Sequence, residues 1–128
     1  MAGPRGALDG IKAPPGLTDG ERRVFLAVRR QLQEQGTWQR SDADALERYV
    51  HAIVRSAQAR EIVAREGLTA LGGRDQPVAH PAVRIARDAE RDAAEYARDL
   101  LLTPRARRLA GLMETSAMDD ELAGLLAE

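Results

Sequence analysis

The residues in this sequence whose types and spacing suit a chemical task are the arginines near its N-terminal end. Arg22 and Arg23 are followed by Arg29 and Arg30, and in a helix these two pairs would lie on one arc, with Arg40 further along the chain. A guanidinium group donates two parallel hydrogen bonds to phosphate oxygens, so an arc of arginines can bind a nucleic-acid backbone. A solvated helix face without a ligand is the alternative interpretation.

Enzymatic chemistry has no comparable signature. The chain has no cysteine, and its two histidines, His51 and His80, stand in no metal-binding spacing such as His-Glu-x-x-His. No serine lies in a pattern of nucleophile and base, and the Gly72-Gly73 pair is not part of a phosphate-binding loop. We therefore expect no catalytic, cofactor-binding or metal site, and we interpret His51 as a surface or core-edge residue.

Composition favours a single all-α domain. The 128 residues suffice for one hydrophobic core, and aromatic residues make up only 3% of them, whereas sheets are rich in aromatic and β-branched residues. The lack of cysteine is typical of a reducing cytoplasm. No apolar run approaches the roughly 20 residues that cross a bilayer, so no membrane association is expected.

Charge is distributed unevenly along the chain, although the net charge is only −1. Residues 1–40 carry seven basic and four acidic side chains, whereas residues 113–128 carry five acidic side chains and no basic one. The near-neutral total argues against a protein that coats nucleic acid without discrimination. The chain is thus basic at one end and acidic at the other.

The beginning of the chain predicts an arm followed by a first helix. Residues 1–16 are rich in glycine and proline and are interpreted as a flexible arm. Thr18 and Glu21 form a capping-box pattern, so we expect a helix over residues 19–35 that ends at Gly36. Its predicted buried stripe comprises Val24, Phe25, Val28 and Leu32.

A second helix is predicted after a short turn, and it forms a helical hairpin with the first. Ser41 or Asp42 would cap its start, and Gly67 would end it after about residue 66. Trp38 in the turn is interpreted as a plug at the end of the hairpin, and stacking on a nucleic-acid base is the alternative. The predicted buried stripe comprises Leu46, Tyr49, Val50, Ile53 and Ala57.

A glycine-containing connector, residues 67–80, separates this hairpin from a third long helix. Its Gly72-Gly73 turn predicts a small β-hairpin or an extended loop. Pro81 suits the first turn of a helix that we expect to extend to about residue 101. The inner stripe of this helix is made of small residues, which favours close packing, and comprises Ala82, Ala86, Ala89, Ala93, Tyr96, Ala97 and Leu100.

Short helices are expected at the C-terminal end. Thr103 and Pro104 predict a helix start, and that helix would extend to about residue 113. The acidic tail contains three leucines at helical spacing, which either dock on their own domain or bind a groove on another protein: Leu122, Leu125 and Leu126. The expected organisation is an arm over residues 1–16, a helical domain over residues 17–112 and an acidic tail over residues 113–128.

The order of these elements resembles the phage terminase small subunit family, in particular the family that carries a Leu-Thr-Pro-x-x-Arg motif near its C-terminus. The motif is present as Leu102-Thr103-Pro104 followed by Arg107. The resemblance covers residues 17–112, from the start of the first helix through the motif to the last short helix. It implies a helical subunit of the kind that the periodicity predicts.

Two positions differ from the family pattern. His80 precedes Pro81 where the family commonly has asparagine, and Leu101 stands where a glycine is frequent. Histidine and asparagine can both precede a helix that begins with proline, so we expect the third helix to start in the same place.

The resemblance implies a non-enzymatic subunit of a tailed phage or prophage, which forms a homo-oligomeric ring, binds double-stranded viral DNA and presents it to the large terminase subunit in the host cytoplasm. The large subunit holds the ATPase and the nuclease, so no cofactor is implied for this chain. Arg5 and Lys12 of the arm would be auxiliary DNA contacts beside the arginines above. The tail would be a peptide for the large subunit, with contacts from Leu122, Leu125, Leu126, Asp119, Asp120 and Glu121.

Two other classes of function remain open. In a dimeric helix-turn-helix regulator the second helix would read a DNA major groove, although its Glu47, Gln58 and Glu61 are poor phosphate ligands. In a helical adaptor without DNA affinity the acidic tail would be the only interaction surface. The number of subunits distinguishes a dimeric regulator from a ring. A DNA-binding assay over a range of salt concentrations distinguishes the adaptor, which has no DNA affinity, from both.

Overall fold

Three long helices and one β-hairpin make up most of the described chain. A computed structural model describes residues 13–111, and no helix within this range is long and apolar enough to cross a membrane. The elements are α1 (Asp19–Gln35), a 3₁₀ turn (Arg40–Asp42), α2 (Ala43–Glu66), β1 (Thr69–Leu71), β2 (Pro77–Ala79), α3 (Pro81–Asp99) and α4 (Pro104–Leu109). The mainly helical class is confirmed, and the connector forms a β-hairpin rather than an extended loop.

The first helix has the boundaries that its local signals predict. The Glu21 amide donates to the Thr18 hydroxyl over 3.2 Å, and the Thr18 amide donates to the Glu21 carboxylate over 2.9 Å. This reciprocal capping box satisfies two amide donors that lack a partner inside the helix. Gly36 ends α1 with a φ of 81°, a left-handed conformation that glycine adopts without the steric cost of a side chain.

The start of α2 differs from the prediction. Asp42 occupies the N-cap position but makes no side-chain hydrogen bond to α2. Its carboxylate instead accepts a hydrogen bond of 3.0 Å from the Gln39 amide, across the 3₁₀ turn that contains Ser41. Neither predicted residue therefore caps α2 through its side chain, because the turn in front of the helix uses the carboxylate.

Large apolar side chains from α1 and α2 form the first of two packed clusters, which we call the core cluster. Phe25 and Leu46 each have a relative exposed surface of 0%. Trp38 packs against this cluster from the turn between the two helices, which confirms that it plugs the end of the helical hairpin. The buried members of the core cluster are Leu17, Phe25, Leu32, Leu46, Val50 and Leu100.

Small side chains form the second packed region, the alanine seam between α2 and α3. Ala59 of α2 packs with Ala82 and Ala86 of α3, and the half-buried Ile62 and Val63 pack against them. Side chains this small let two helix backbones approach closely. The seam comprises Ala52, Ser56 and Ala59 in α2 and Ala82, Ala86, Ala89 and Ala93 in α3. In the stripe predicted for the third helix, the four alanines of the seam are buried, whereas Tyr96 and Ala97 are half-buried and Leu100 packs in the core cluster beyond the end of the helix.

The stripe predicted for α2 is only partly right. Leu46 and Val50 are buried as expected, but Tyr49 and Ile53 are half-buried and Ala57 is exposed. The reason is that α2 has two partners, because its first half contributes to the core cluster while the seam uses a different side of the helix. The buried positions of α2 consequently do not form one stripe.

The connector between α2 and α3 is a two-stranded antiparallel hairpin. Ala70 of β1 lies opposite Val78 of β2. The turn closes where the Gly72 amide donates to the Gln76 carbonyl over 2.7 Å. Large apolar side chains in and next to the hairpin remain exposed, namely Leu68, Leu71 and Val78.

The third helix starts at Pro81, as predicted, and His80 caps it. The His80 Nδ1 atom accepts a hydrogen bond of 3.0 Å from the Ala82 amide, so histidine fulfils at this position the role that asparagine commonly has at helix starts. The helix ends at Asp99, slightly earlier than expected, and Leu101 then turns the chain with a φ of 60°. The fourth helix ends at Leu109 and is also shorter than predicted.

Candidate nucleic-acid interface

The α1 arginines lie beside the packed side of the helix. Arg22, Arg23 and Arg30 are exposed, and Arg29 is half-buried. Residues seven or eight apart return to the same side of a helix, so all four occupy about a third of the circumference of α1. The structure therefore brings these four predicted residues together on one surface, which we call the arginine face.

Two carboxylates moderate the charge of the arginine face. Asp19 lies 3.5 Å from the Arg22 guanidinium, and the Asp19 carbonyl accepts a hydrogen bond from Arg23 over 3.4 Å. Glu34 follows Arg30 by one helical turn and lies on the same side of α1. The face combines four cations with two anions, and the remaining excess of positive charge suits contact with an anionic backbone.

Arg40 is exposed but stands apart from the arginine face. It lies in the 3₁₀ turn beyond the C-terminal end of α1, whereas Arg22 lies near the start of that helix. The helix between them rises by about 20 Å, so Arg40 and Arg22 cannot bind the same phosphate. Arg40 can lengthen a contact with nucleic acid, but it does not add to the charge at the start of α1.

A second exposed basic surface lies on α2. Arg48 and Arg55 are both exposed and are two helical turns apart on the same side of α2. His51 lies between them and contacts the Glu21 carboxylate of α1 through its Nδ1 atom. This contact places the side of α2 that carries Arg48 and Arg55 next to Glu21 in the first turn of α1.

Arg55 is not among the contact residues predicted from the sequence. The seven-residue spacing from Arg48 is visible in the sequence, but it gains significance only once α1 and α2 are packed. The contact that joins this side of α2 to α1, between His51 and Glu21, spans 30 residues of sequence. Such a contact leaves no local pattern from which Arg55 could be found.

The contact between His51 and Glu21 joins two helices. The pKa of Glu21 is lowered, chiefly because the Thr18 amide donates a hydrogen bond to its carboxylate, and hydrogen bonds from the Thr18 hydroxyl and His51 add to this. The other imidazole nitrogen, Nε2, lies 3.6 Å from Glu47. No three His, Asp or Glu side chains among residues 13–111 are placed to hold a metal ion. His51 is exposed, in agreement with its interpretation as a surface residue.

Several predicted contact residues lie outside the described residues. Arg5 and Lys12 of the arm are two of them. The others are the tail residues Leu122, Leu125, Leu126, Asp119, Asp120 and Glu121. Their roles in binding DNA or another protein stay predictions.

Comparison with protein families identifies a match that covers most of the chain. A family model described as phage terminase, small subunit, matches residues 22–116. The matched segment includes the arginine face, the second basic surface, the β-hairpin and α4. The chain matches no curated protein and no solved structure.

Proposed function

The chain belongs to the phage terminase small subunit family, and on that premise we propose that it binds double-stranded viral DNA and delivers it to the large terminase subunit. Membership of this family indicates a role in phage DNA packaging. DNA contact by this chain is supported by the arginine face, where Arg22, Arg23 and Arg30 are exposed outside the packed surface of α1. Guanidinium groups in this arrangement can each bind a phosphate through charge-assisted hydrogen bonds.

The proposed contact is with the DNA backbone. The rise of α1 from Arg22 to Arg30 is about 12 Å, and one DNA strand presents a phosphate about every 3.4 Å along the helix axis. If α1 lies along the strand, the arginine face can meet roughly three phosphates. Such contacts position a protein on DNA, and their energy depends on salt because each one releases a counterion.

We further propose that copies of the chain assemble into a closed homo-oligomeric ring. The protomer has a net charge of −1, so one copy attracts DNA only weakly over long distances. A ring repeats the arginine face around one axis. Each copy then adds a few phosphate contacts, and the total affinity rises steeply with their number.

In this proposal the chain is not an enzyme, and the large subunit performs ATP hydrolysis and DNA cleavage in the host cytoplasm. Arg40 and the second basic surface lengthen the DNA contact, and Arg5 and Lys12 of the arm are auxiliary contacts. The acidic tail binds the large subunit through Leu122, Leu125, Leu126, Asp119, Asp120 and Glu121.

A DNA retardation assay over a range of salt concentrations tests the arginine face. A variant with Arg22→Ala, Arg23→Ala and Arg30→Ala should bind DNA at least about tenfold more weakly and lose up to about three units of salt slope for each copy that contacts the DNA, because each lost phosphate contact removes about one. Arg29 is retained because it is half-buried and its loss could disturb α1.

The matched control is a variant with Arg84→Ala and Arg91→Ala on α3. Both arginines are exposed, and each lies 3.9 Å from Asp88. This variant should retain the DNA affinity of the unmodified protein. An unchanged affinity and salt slope in the triple α1 variant, with the same assembly by native mass spectrometry, would rule out the arginine face as the DNA contact.

Deletion of residues 114–128 tests the assignment of the tail. The shortened protein should keep its assembly and its DNA binding, because the packed clusters and the arginine face lie within residues 13–111. It should lose stimulation of the ATPase of the large subunit. Full stimulation by the shortened protein would show that the large subunit binds elsewhere.

The helix-turn-helix regulator is the second candidate, and exposed Arg48 and Arg55 on α2 favour it. Against it, α2 is packed by both α1 and α3, so only one side of this helix is free to enter a DNA groove. Native mass spectrometry separates the two functions, since a regulator should be a dimer and a terminase subunit a larger closed assembly. If the protein does not bind DNA even at low salt, the adaptor function is favoured instead.

A further inference from the structure

A groove runs along the joint between α2 and α3, beside the alanine seam. It has a volume of about 460 Å³. Tyr49, Ile53 and Ala57 line it from α2, and Ala94 and Ala97 line it from α3. Ala57 and Ala94 are exposed. The groove is thus an apolar surface that is open to solvent within residues 13–111.

An ion pair crosses one end of the groove. Arg60 of α2 and Glu90 of α3 form this pair, and the hydrogen bond from Arg60 lowers the pKa of Glu90. Beyond the pair lies a second hollow of about 230 Å³, which Val63 and Leu68 help to line. The two hollows share Arg60 and Glu90. Apolar side chains therefore lie on both sides of the ion pair, from Tyr49 to Val63 near the β-hairpin, over about 21 Å along α2.

The rim of the groove on α3 is basic. Arg87, Arg91 and Arg98 lie on one ridge of α3 together with Ala94, at intervals of three and four residues. Arg91 lies 3.9 Å from Asp88, whereas Arg87 and Arg98 form no ion pair with another residue of the described chain. An apolar floor with a basic rim suits an amphipathic helix that carries acidic residues.

We propose that this groove binds residues 112–128 of the same chain as an amphipathic helix. Met118, Leu122 and Leu125 are spaced four and three residues apart and would share one side of such a helix. The segment from Met118 to Leu125 would rise by about 10 Å in such a helix, so its apolar side fits within the groove along α2. The tail leucines would thus bind a groove of the same chain.

Charge and chain path both support this occupant. In the docked helix Asp119 and Glu121 lie on opposite flanks of the apolar side, so one of the two carboxylates can face the arginine rim on α3. Tyr49, at one end of the groove, packs against the same core cluster as Leu102, which precedes α4. The Leu102 amide also donates to the carbonyl of Ala97, which lines the groove, over 2.8 Å, so the chain enters α4 near this end of the groove.

The docked helix would regulate the proposed contact with the large subunit. Leu122 and Leu125 cannot lie in the groove and bind another protein at the same time. The large subunit must therefore displace the helix, and its affinity is reduced by the fraction of molecules in which the helix is docked. Docking itself requires neither DNA nor the large subunit, so it can be tested separately from DNA packaging.

Disulfide trapping in the full-length protein tests the docking, because the chain has no cysteine of its own. Ala94→Cys with Leu122→Cys places one thiol in the groove wall and one on the tail. The matched control combines Leu122→Cys with Glu95→Cys, which moves the first thiol to an exposed position that faces away from the groove. We expect the Ala94→Cys pair to form an intramolecular disulfide at least about tenfold faster than the control pair, because docking raises the effective concentration of the thiols.

Mass spectrometry and non-reducing electrophoresis distinguish the outcomes. Equal rates for the two pairs would show that the tail is not held in the groove. A disulfide between two protomers at Ala94→Cys would show that another copy supplies the helix, which also overturns the assignment. Arg87→Glu with Arg98→Glu should slow trapping roughly threefold to tenfold if the rim attracts the tail, and circular dichroism checks that this variant remains helical.

Discussion

The core cluster and the alanine seam hold the same helix, α2, in opposite ways. In the core cluster, large side chains such as Phe25 and Leu46 fill the space between elements and are completely buried. In the alanine seam, Ala86 and Ala89 bury little surface of their own but allow α2 and α3 to approach closely. Packing in the core cluster depends on large side chains, whereas packing in the alanine seam depends on small ones.

This difference separates two structural tasks. The core cluster joins residues that are distant in sequence, since it includes Leu17 before α1 and Leu100 after α3. The alanine seam joins two long helices that are consecutive in the chain. Substitutions should therefore have opposite size dependence, because lost volume leaves a cavity in the core cluster and added volume forces the seam apart.

Phe25→Ala should have the largest effect on stability. The side chain has a relative exposed surface of 0%, so its removal should cost about 3–5 kcal/mol. This is a large part of the roughly 5–15 kcal/mol that usually holds a domain folded. Urea denaturation followed by circular dichroism measures the change. Leu109→Ala is the control, because Leu109 is 79% exposed, and equal losses in the two variants would contradict the role given to the core cluster.

Ala89→Leu should have the next largest effect, and it tests the alanine seam. The added side chain must fit between α2 and α3, where overpacking should cost about 1–3 kcal/mol. Ala64→Leu introduces the same side chain at an exposed position of α2 and should change stability by less than about 0.5 kcal/mol. Thermal unfolding compares the two variants. If Ala89→Leu lowers stability no more than Ala64→Leu does, the seam does not require small residues.

Two carboxyl groups that lie outside both regions should give the smallest effect, which is a dependence of stability on acid. The pKa of Glu21 is lowered chiefly by the Thr18 amide, and the pKa of Glu66 is lowered chiefly by the His80 imidazole. Folding thus favours the charged form of both carboxyl groups. Their contribution to stability is present above the ordinary value of 4.5 and is lost as the pH falls through each lowered pKa.

The glutamine in Glu21→Gln can keep the capping hydrogen bond, but its side chain stays uncharged at every pH that is tested. The urea midpoint of this variant should therefore fall less than that of the unmodified protein between about pH 5 and pH 3. Glu66→Gln should change in the same direction, because the His80 imidazole and Arg65 lower the pKa of Glu66. Glu34→Gln, at an exposed position of α1, is the control. An equal fall of the urea midpoint in Glu21→Gln and in the unmodified protein would contradict the contribution of Glu21.

The helix boundaries that could be predicted from the sequence are those that depend on local chemistry. Thr18 and Glu21 fix the start of α1, Gly36 fixes its end, and Pro81 fixes the start of α3. The start of α2 was harder to predict because the Asp42 carboxylate has two possible amide partners. It bonds to Gln39 of the preceding turn rather than to the helix.

Contacts between distant residues account for the other differences. A single apolar stripe assumes one packing partner, so the prediction for α2 included Ala57 and omitted Ala52 and Ala59. At the candidate interface, the exposure of the α1 arginines follows from their spacing relative to Phe25. The position of the side of α2 that carries Arg55 depends on the packing of α2 against α1, which no local pattern encodes.

The β-hairpin between α2 and α3 has a consequence for how sequences of this kind can change in length during evolution. Its strands pair residue by residue, Thr69 with Ala79 and Leu71 with Pro77. One residue inserted into a single strand would shift the register and turn the side chains that follow it to the opposite face. Insertions and deletions should therefore occur in pairs, one in each strand, or within the turn that begins at Gly72. Changes of this kind lengthen or shorten the hairpin without altering where α2 ends and α3 begins.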